Sequence, residues 1–337
     1  MRALEIATDR SLRLVDVPDA ELEPDQVQVA VAFCGICGSD LHMRDSPAIP
    51  EGAIMGHEFS GRVVALGAEV KGWQPGDRVC AFPFAPCGRC SHCAAGDEQL
   101  CAGIAATGLG LGVNPGAYAE TVAVRHSMLR RLPDELADEH GALAEPLAVG
   151  LHAVSACTAD VGEPVAVIGA GPIGAMTAIS LRARGFERVV LVEPNERRRE
   201  RAGALGFDAI GLQRVRAKAI AALGGDPPAV VFECAGQPAA PQLAIDLVAP
   251  AGQIVLLGVL EEPVSISQLT LLAKEAQIRT ALAYRRREFD EAIELLAGGG
   301  VPAGELISRI VPLAEGPAMF EELTRPDTGQ LKVLLRP

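Results

Sequence analysis

The chain has 337 residues, 49% hydrophobic and 22% charged, an ordinary globular composition with length for about two domains. Its net charge of −13 argues against a nucleic-acid partner, and the densest cationic runs, Arg197–Arg199 and Arg285–Arg287, have acidic neighbours and read as solvated faces. No apolar leader opens the sequence and no apolar run is long enough to span a membrane. The nine cysteines, five of them at ligand-like positions, point to a reducing cytoplasm in which thiols bind metal.

In chain order, Leu12–Val17 and Gln26–Val31 alternate apolar with polar residues and are expected to form half-buried strands around the Pro18–Asp25 turn region. The stretch that follows carries chemistry. It reads Cys37-Gly-Ser39-Asp40-Leu-His42 and then, after a short connection, Gly56-His57-Glu58. A thiolate, an imidazole and a carboxylate in one span suit a zinc site of mixed ligands, the kind that keeps a coordination position open for catalysis. Strands are expected again at Phe59–Gly67 and Arg78–Phe82, so the first domain is β-rich and barrel-like.

Cys87, Cys90 and Cys93 follow at two-residue spacing, and Cys101 comes after seven further residues. One loop can wrap four such thiolates around a tetrahedral zinc, and because no position stays open that zinc is structural. His92 lies within the loop, but four sulfurs fill the site, so it reads as solvated.

A turn is expected at Asn114–Gly116 and a strand at Ala117–Val124. From Asp138 a helical pattern approaches Pro146, breaks before it and resumes as a second helix. Glu145 sits at that break, either as a solvated helix-end charge or as a carboxylate projecting from the chain end. His152 lies on an apolar stripe and reads as packed.

From Pro164 the pattern changes. A short apolar strand ends at Ile168, Gly169-Ala-Gly171-Pro-Ile-Gly174 follows at once, and then comes an apolar helix, Ala175–Arg184. A second strand, Arg188–Val192, ends in Glu193, nineteen residues beyond Gly174. A glycine fingerprint between strand and helix, with an acid at this distance, marks a dinucleotide site. Gly169 permits the tight turn, Gly171 lets the backbone approach a pyrophosphate, and Gly174 allows close helix–strand packing. The helix start attracts the phosphates. Glu193 is expected to accept hydrogen bonds from the adenosine ribose and to repel a 2′-phosphate, which favours NAD over NADP. Strands at 209–212, 229–234, 253–258 and 278–283, alternating with helices, imply a doubly wound parallel sheet. A helix at Phe289–Ala297, strands at Ile307–Val311 and Lys332–Leu335 and a helix at Gly316–Leu323 could return to the first domain.

In order along essentially the whole chain, the Cys-Gly-Ser-Asp-Leu-His, Gly-His-Glu, four-cysteine and Glu145-Pro-Leu-x-Val-Gly-Leu-His152 elements, followed by the dinucleotide fold, resemble the zinc-dependent medium-chain alcohol/polyol dehydrogenases. Glu145, where classical alcohol dehydrogenases carry cysteine, places the likeness with the sorbitol, butanediol and threonine dehydrogenase branch. The resemblance implies an α/β chain with a GroES-like β-rich catalytic domain (1–148 and 284–337) and a Rossmann domain (149–283), and a homodimer or homotetramer joined through the Rossmann sheet edge. It implies Cys37 and His57 as ligands of a catalytic zinc, Glu58 as a ligand or close neighbour, and Glu145 in the remaining position, directly or through water. Asp40 would orient His57. Ser39 and His42 match a proton relay by way of the cofactor ribose, and Glu193 and Arg198 match residues at the adenosine ribose. The implied cofactors are two zinc ions per chain and NAD. The implied activity is hydride transfer between a secondary alcohol, diol or polyol and its ketone. A threonine, amino-alcohol or aldehyde dehydrogenase is the alternative within the family, and a non-catalytic zinc- and NAD-binding redox sensor the alternative outside it.

Overall fold

In the computed structural model, which describes residues 1–112, 114–325 and 327–337, the N-terminal alternation folds as an antiparallel hairpin of β1 (Arg2–Ile6) and β2 (Leu12–Asp16). The next alternating run becomes β3 (Gln26–Gly35), longer than its pattern suggests, with Val27, Val29 and Val31 buried. Around it lie β4 (Glu58–Leu66), β5 (Arg78–Ala81), β6 (Thr121–Arg125) and β7 (Leu129–Arg131). β3 pairs antiparallel with both β4 and β6. The strand expected from Ala117 begins only at Thr121. Tyr118 instead gives its backbone N–H to the Met55 carbonyl and accepts the Leu4 N–H, so this segment ties β1 to the loop before β4.

The expected break before Pro146 is present but falls a little earlier: a short helix, Asp138–Gly141, ends before residues 142–143, and a second helix, Ala144–Ser155, carries Pro146 in its first turn, where the missing N–H has no intrahelical role. The chain divides into two compact units, Met1–Glu145 with Arg285–Pro337, and Pro146–Tyr284.

The second unit is a parallel sheet of β8 (Val165–Ile168), β9 (Val189–Val192), β10 (Asp208–Ile210), β11 (Val230–Glu233), β12 (Gln253–Leu256) and β13 (Gln277–Thr280). Its order, β10-β9-β8-β11-β12-β13, is the doubly wound arrangement that reverses direction beside the first strand, where such sheets bind ligands. β8, β9 and β11 are buried throughout, as strands covered on both faces must be.

The last two strands, β14 (Ile307–Pro312) and β15 (Lys332–Arg336), pair parallel with each other. β15 then adds antiparallel to β3, completing a seven-stranded sheet of order β14-β15-β3-β4-β5-β7 with β6 beside β3. Among the described residues no helix is long and apolar enough to cross a membrane.

Candidate functional site

Strand register builds the first site. The end of β3 lies between the start of β4 and β15, with Gly35 opposite Glu58 on one side and opposite Leu334 on the other. Only glycine fits there, since a Cβ would stand 2.2 Å from Glu58 Oε2. Two residues beyond Gly35, Cys37 starts the Gly38–Met43 helix, a turn too short to show periodicity in the sequence. His57 immediately precedes β4. Donor atoms of Cys37, His57 and Glu58 thereby lie within 4.8 Å of one another.

Asp40, fully buried, organises this cluster. Its Oδ2 accepts the Cys37 N–H at 3.0 Å and the Tyr118 hydroxyl at 2.5 Å, while Oδ1 faces His57 Nδ1 at 3.4 Å. With Nδ1 turned to a carboxylate, Nε2 is the nitrogen left to bind a cation, the usual arrangement of a metal-binding imidazole. Burial by itself would lower the His57 pKa, but the charge of Asp40, its hydrogen bond and Cys37 outweigh it and raise the pKa well above the ordinary value. Surroundings that hold a proton on a buried imidazole also favour a metal cation beside it. Burial, reinforced by Asp40, pushes the Tyr118 hydroxyl well up, so it stays protonated and donates.

Glu58 has a partner that sequence reasoning missed. The buried Lys332 ammonium lies 2.7 and 2.6 Å from its two oxygens and 3.1 Å from the Ile36 carbonyl. Burial would lower the lysine pKa, yet the charges of Glu58 and Cys37 raise it. A single lysine inside the apolar run Leu331–Leu335 was the only local sign of it.

Glu145 is 93% buried, since its relative exposure is 7%, so the solvated reading fails. It does not join the cluster of donor atoms, but its charge is among those that raise the Lys332 pKa. Ser39 and His42 stand three residues apart on the Gly38–Met43 helix, half-buried and exposed respectively, a spacing that puts both on one face. His152 is packed, as its apolar stripe suggests.

The four cysteines also converge, each offering a sulfur within the same 4.8 Å limit. Backbone N–H groups of Cys93 and Ala102 push the Cys90 thiol down to about 6, whereas burial and its bond with Cys90 push Cys93 up to about 12. Four neighbouring thiolates repel one another, and a dication removes that conflict. The donor set therefore fits zinc. Of the run Arg285–Arg287, only Arg287 is the exposed residue its composition suggests. Arg285 bonds Asp97 at 2.8 Å, and Arg286 reaches Glu98 at 3.3 Å, the Ser127 carbonyl at 2.8 Å and the face of Phe82 at 5.1 Å. These residues pin the cysteine lobe to the start of the Arg286–Ala297 helix.

In the second unit, Gly169 has φ +94°, and a Cβ on Gly174 would lie 1.9 Å from the Gly169 carbonyl oxygen, so turn and helix meet as the fingerprint requires. Gly171 begins the Pro172–Ala183 helix with nothing closer to a built Cβ than Arg198 Nη1 at 3.7 Å. Glu193 accepts the N–H groups of Ala170 at 2.8 Å and Asn195 at 2.9 Å. Arg199, not Arg198, bonds the Glu193 and Pro194 carbonyls at 2.9 and 2.6 Å.

Residues 23–134 match the alcohol dehydrogenase GroES-like domain and residues 172–298 the zinc-binding dehydrogenase family. (R,R)-butanediol dehydrogenase of Bacillus subtilis (strain 168) is 34% identical, with 100% of each chain covered. The chain belongs to the zinc-dependent medium-chain alcohol dehydrogenases. The crystal structure of 2R,3R-butanediol dehydrogenase from Bacillus subtilis superposes with a TM-score of 0.90 at 31% identity, covering 100% and 99% of the two chains. L-threonine 3-dehydrogenase of Escherichia fergusonii is 32% identical over 88% of each. A zinc-binding dehydrogenase from Sinorhizobium meliloti 1021, bound to NADP, gives a TM-score of 0.89 at 31% identity over 100% and 99%. As a medium-chain alcohol dehydrogenase this chain carries the GroES-like and Rossmann folds expected of it, and it is an oxidoreductase acting on alcohols and ketones.

Proposed function

We propose that the chain is an NAD(H)-dependent dehydrogenase interconverting a secondary alcohol, diol or polyol and its ketone. The observation that carries this reading is the convergence of Cys37, His57 and Glu58 donor atoms beside the helix that bears Ser39 and His42. Cys37 and His57 would hold a catalytic zinc, with Glu58 or Glu145 as the carboxylate of the site, and the four cysteines would hold a second, structural zinc. Bound zinc supplies a Lewis acid that makes a hydroxyl easier to deprotonate, and the nicotinamide supplies the hydride chemistry.

The chain's own groups do the rest. Asp40 fixes the His57 ring, and Tyr118 and the Cys37 N–H fix Asp40. Ser39, half-buried, accepts the substrate hydroxyl proton as it releases its own hydroxyl hydrogen along the relay toward exposed His42, which exchanges protons with water. Gly169, Gly171 and Gly174 admit the dinucleotide backbone, and Glu193 and Arg198 lie at its adenosine ribose. A non-catalytic redox sensor would have no use for the Ser39–His42 pair.

A second copy of the chain is the partner that β13 fits. Among the described residues this strand pairs only with β12, at the sheet edge; all four of its residues are exposed, and Leu269, Leu272 and Leu282 of the same unit are 64–77% exposed. The resulting homodimer or homotetramer works in a reducing cytoplasm, which keeps nine unbridged cysteines available.

The decisive experiment is NADH formation across short secondary alcohols, vicinal diols, sugar alcohols and threonine, with metal analysis alongside. Turnover of an alcohol or diol, two zinc ions per chain and loss of turnover in Cys37→Ser are expected. Turnover of threonine alone moves the assignment to an amino-alcohol dehydrogenase. No turnover of any of them by zinc-replete protein refutes the enzymatic reading.

A further inference from the structure

The ion pair between Lys332 and Glu58 ties one donor of the Cys37/His57/Glu58 cluster to a lysine that is itself neither a metal ligand nor part of the relay. Three observations show how tightly it is held. The ammonium has three hydrogens, and its three acceptors are Glu58 Oε1, Glu58 Oε2 and the Ile36 carbonyl at 2.7, 2.6 and 3.1 Å. Lys332 is 1% exposed and Glu58 0%. The carboxylate packs into the space a side chain at Gly35 would fill, so it cannot swing away from the lysine on that side.

A buried ion pair is weak evidence for stability, because desolvation offsets its attraction. Its position matters more. The Ile36 carbonyl belongs to the peptide that leads into Cys37, and Glu58 follows His57. Lys332 thus grips the chain beside both Cys37 and His57 while occupying both oxygens of a third donor that stands within their reach. The surroundings are acidic: the carboxylates of Asp40, Glu58 and Glu145 stand against the single ammonium of Lys332, an excess that a bound dication offsets.

We propose that Lys332 is a positioning residue that holds Glu58 off the metal and so keeps the Cys37/His57 site open to exchangeable ligands. The proposal rests on the metal-site reading above. Without the ammonium, Glu58 turns to the ion, and a site with two protein ligands gains a third and holds its metal more tightly.

Cobalt(II) titrated into protein that keeps zinc in its four-cysteine lobe tests this, because cobalt's visible bands report coordination. Lys332→Met is expected to shift and weaken those bands, to bind cobalt about 10–100-fold more tightly, the scale on which neighbours of metal ligands act, and to turn over more slowly. The double variant Lys332→Met/Glu58→Gln is expected to recover the wild-type bands, which separates ligation by Glu58 from mere loss of a positive charge. Glu58→Gln alone, with Lys332 in place, is expected to leave the band positions unchanged, and it reports even if Lys332→Met does not fold. Shifted bands in Glu58→Gln, wild-type bands and affinity in Lys332→Met, or persistent changes in the double variant each overturn the proposal while leaving the metal site standing. Wild-type protein that takes up no cobalt outside the lobe overturns the metal-site reading and the proposal together.

Discussion

Tyr118 gives its hydroxyl hydrogen to Asp40 Oδ2 at 2.5 Å, from a ring buried edge-on against Phe320 with centroids 5.7 Å apart. Asp40 in turn faces His57, so a tyrosine outside the donor set acts through Asp40 on the direction of its imidazole. Tyr118→Phe keeps the packing and removes the hydrogen bond, leaving Oδ2 with the Cys37 N–H. Zinc loss to a chelator at the Cys37/His57 site is expected to become roughly 10-fold easier, with about 1–3 kcal/mol less stability in urea. Unchanged zinc retention would show that Asp40 needs no second donor.

Asp97 ties the cysteine lobe to Arg285, and the tie depends on pH. The hydrogen bond from Arg285 comes first among the causes that hold the Asp97 carboxyl below its ordinary value; burial opposes it, and the Arg285 charge, Gln99 and His92 add to the lowering. A depressed carboxylate stabilises the fold above its unfolded pKa, and that contribution fades as pH falls through the lower folded value. Arg285→Ala returns the Asp97 pKa toward normal, so the lobe is expected to release its zinc at higher pH during acid titration. Coincident release curves for variant and wild type would refute this.

Glu193 places a buried carboxylate against the glycine turn through the Ala170 and Asn195 N–H groups. Each oxygen keeps a lone pair for a ribose hydroxyl, and the negative charge disfavours a 2′-phosphate. Arg199 is occupied by two backbone carbonyls, which leaves Arg198 as the nearby cation that could serve NADP. A preference for NAD in kcat/KM of at least about 10-fold is expected, or ~1.4 kcal/mol, and Glu193→Ser is expected to shift it toward NADP. Equal or better efficiency with NADP refutes the assignment.

The sequence made some of this legible and hid the rest for a physical reason. Ligand spacing within Cys87–Cys101, the pair His57-Glu58 and the glycine turn after β8 are local patterns, and each survives folding as a local structure. Lys332 reaches the site only through pairing between distant strands, 274 residues from Glu58, and Tyr118 through backbone bonds to Met55 and Leu4; nothing in a single sequence specifies either register. Arg285 and Arg286 misled in the same way. Among acidic neighbours they look solvated, yet their partners Asp97 and Glu98 lie 188 residues away. The Gly38–Met43 helix escaped because six residues cannot display a helical period.

Glu145 offers the sharpest remaining prediction. With Lys332 holding Glu58, a zinc bound by Cys37 and His57 lacks a carboxylate of its own. Glu145 is the other candidate, buried in the first turn of the Ala144–Ser155 helix and close enough for its charge to act on Lys332. It stands outside the donor cluster, so its access to the ion is expected to be through water or a change of rotamer. Glu145→Ala is expected to lower turnover about 10–100-fold and to weaken zinc retention at Cys37/His57 while the four-cysteine zinc stays. Glu145→Gln keeps the shape and removes the charge; if charge is what matters, it resembles the alanine variant in metal retention. Normal activity and two zinc ions per chain in Glu145→Ala would remove this residue from the site.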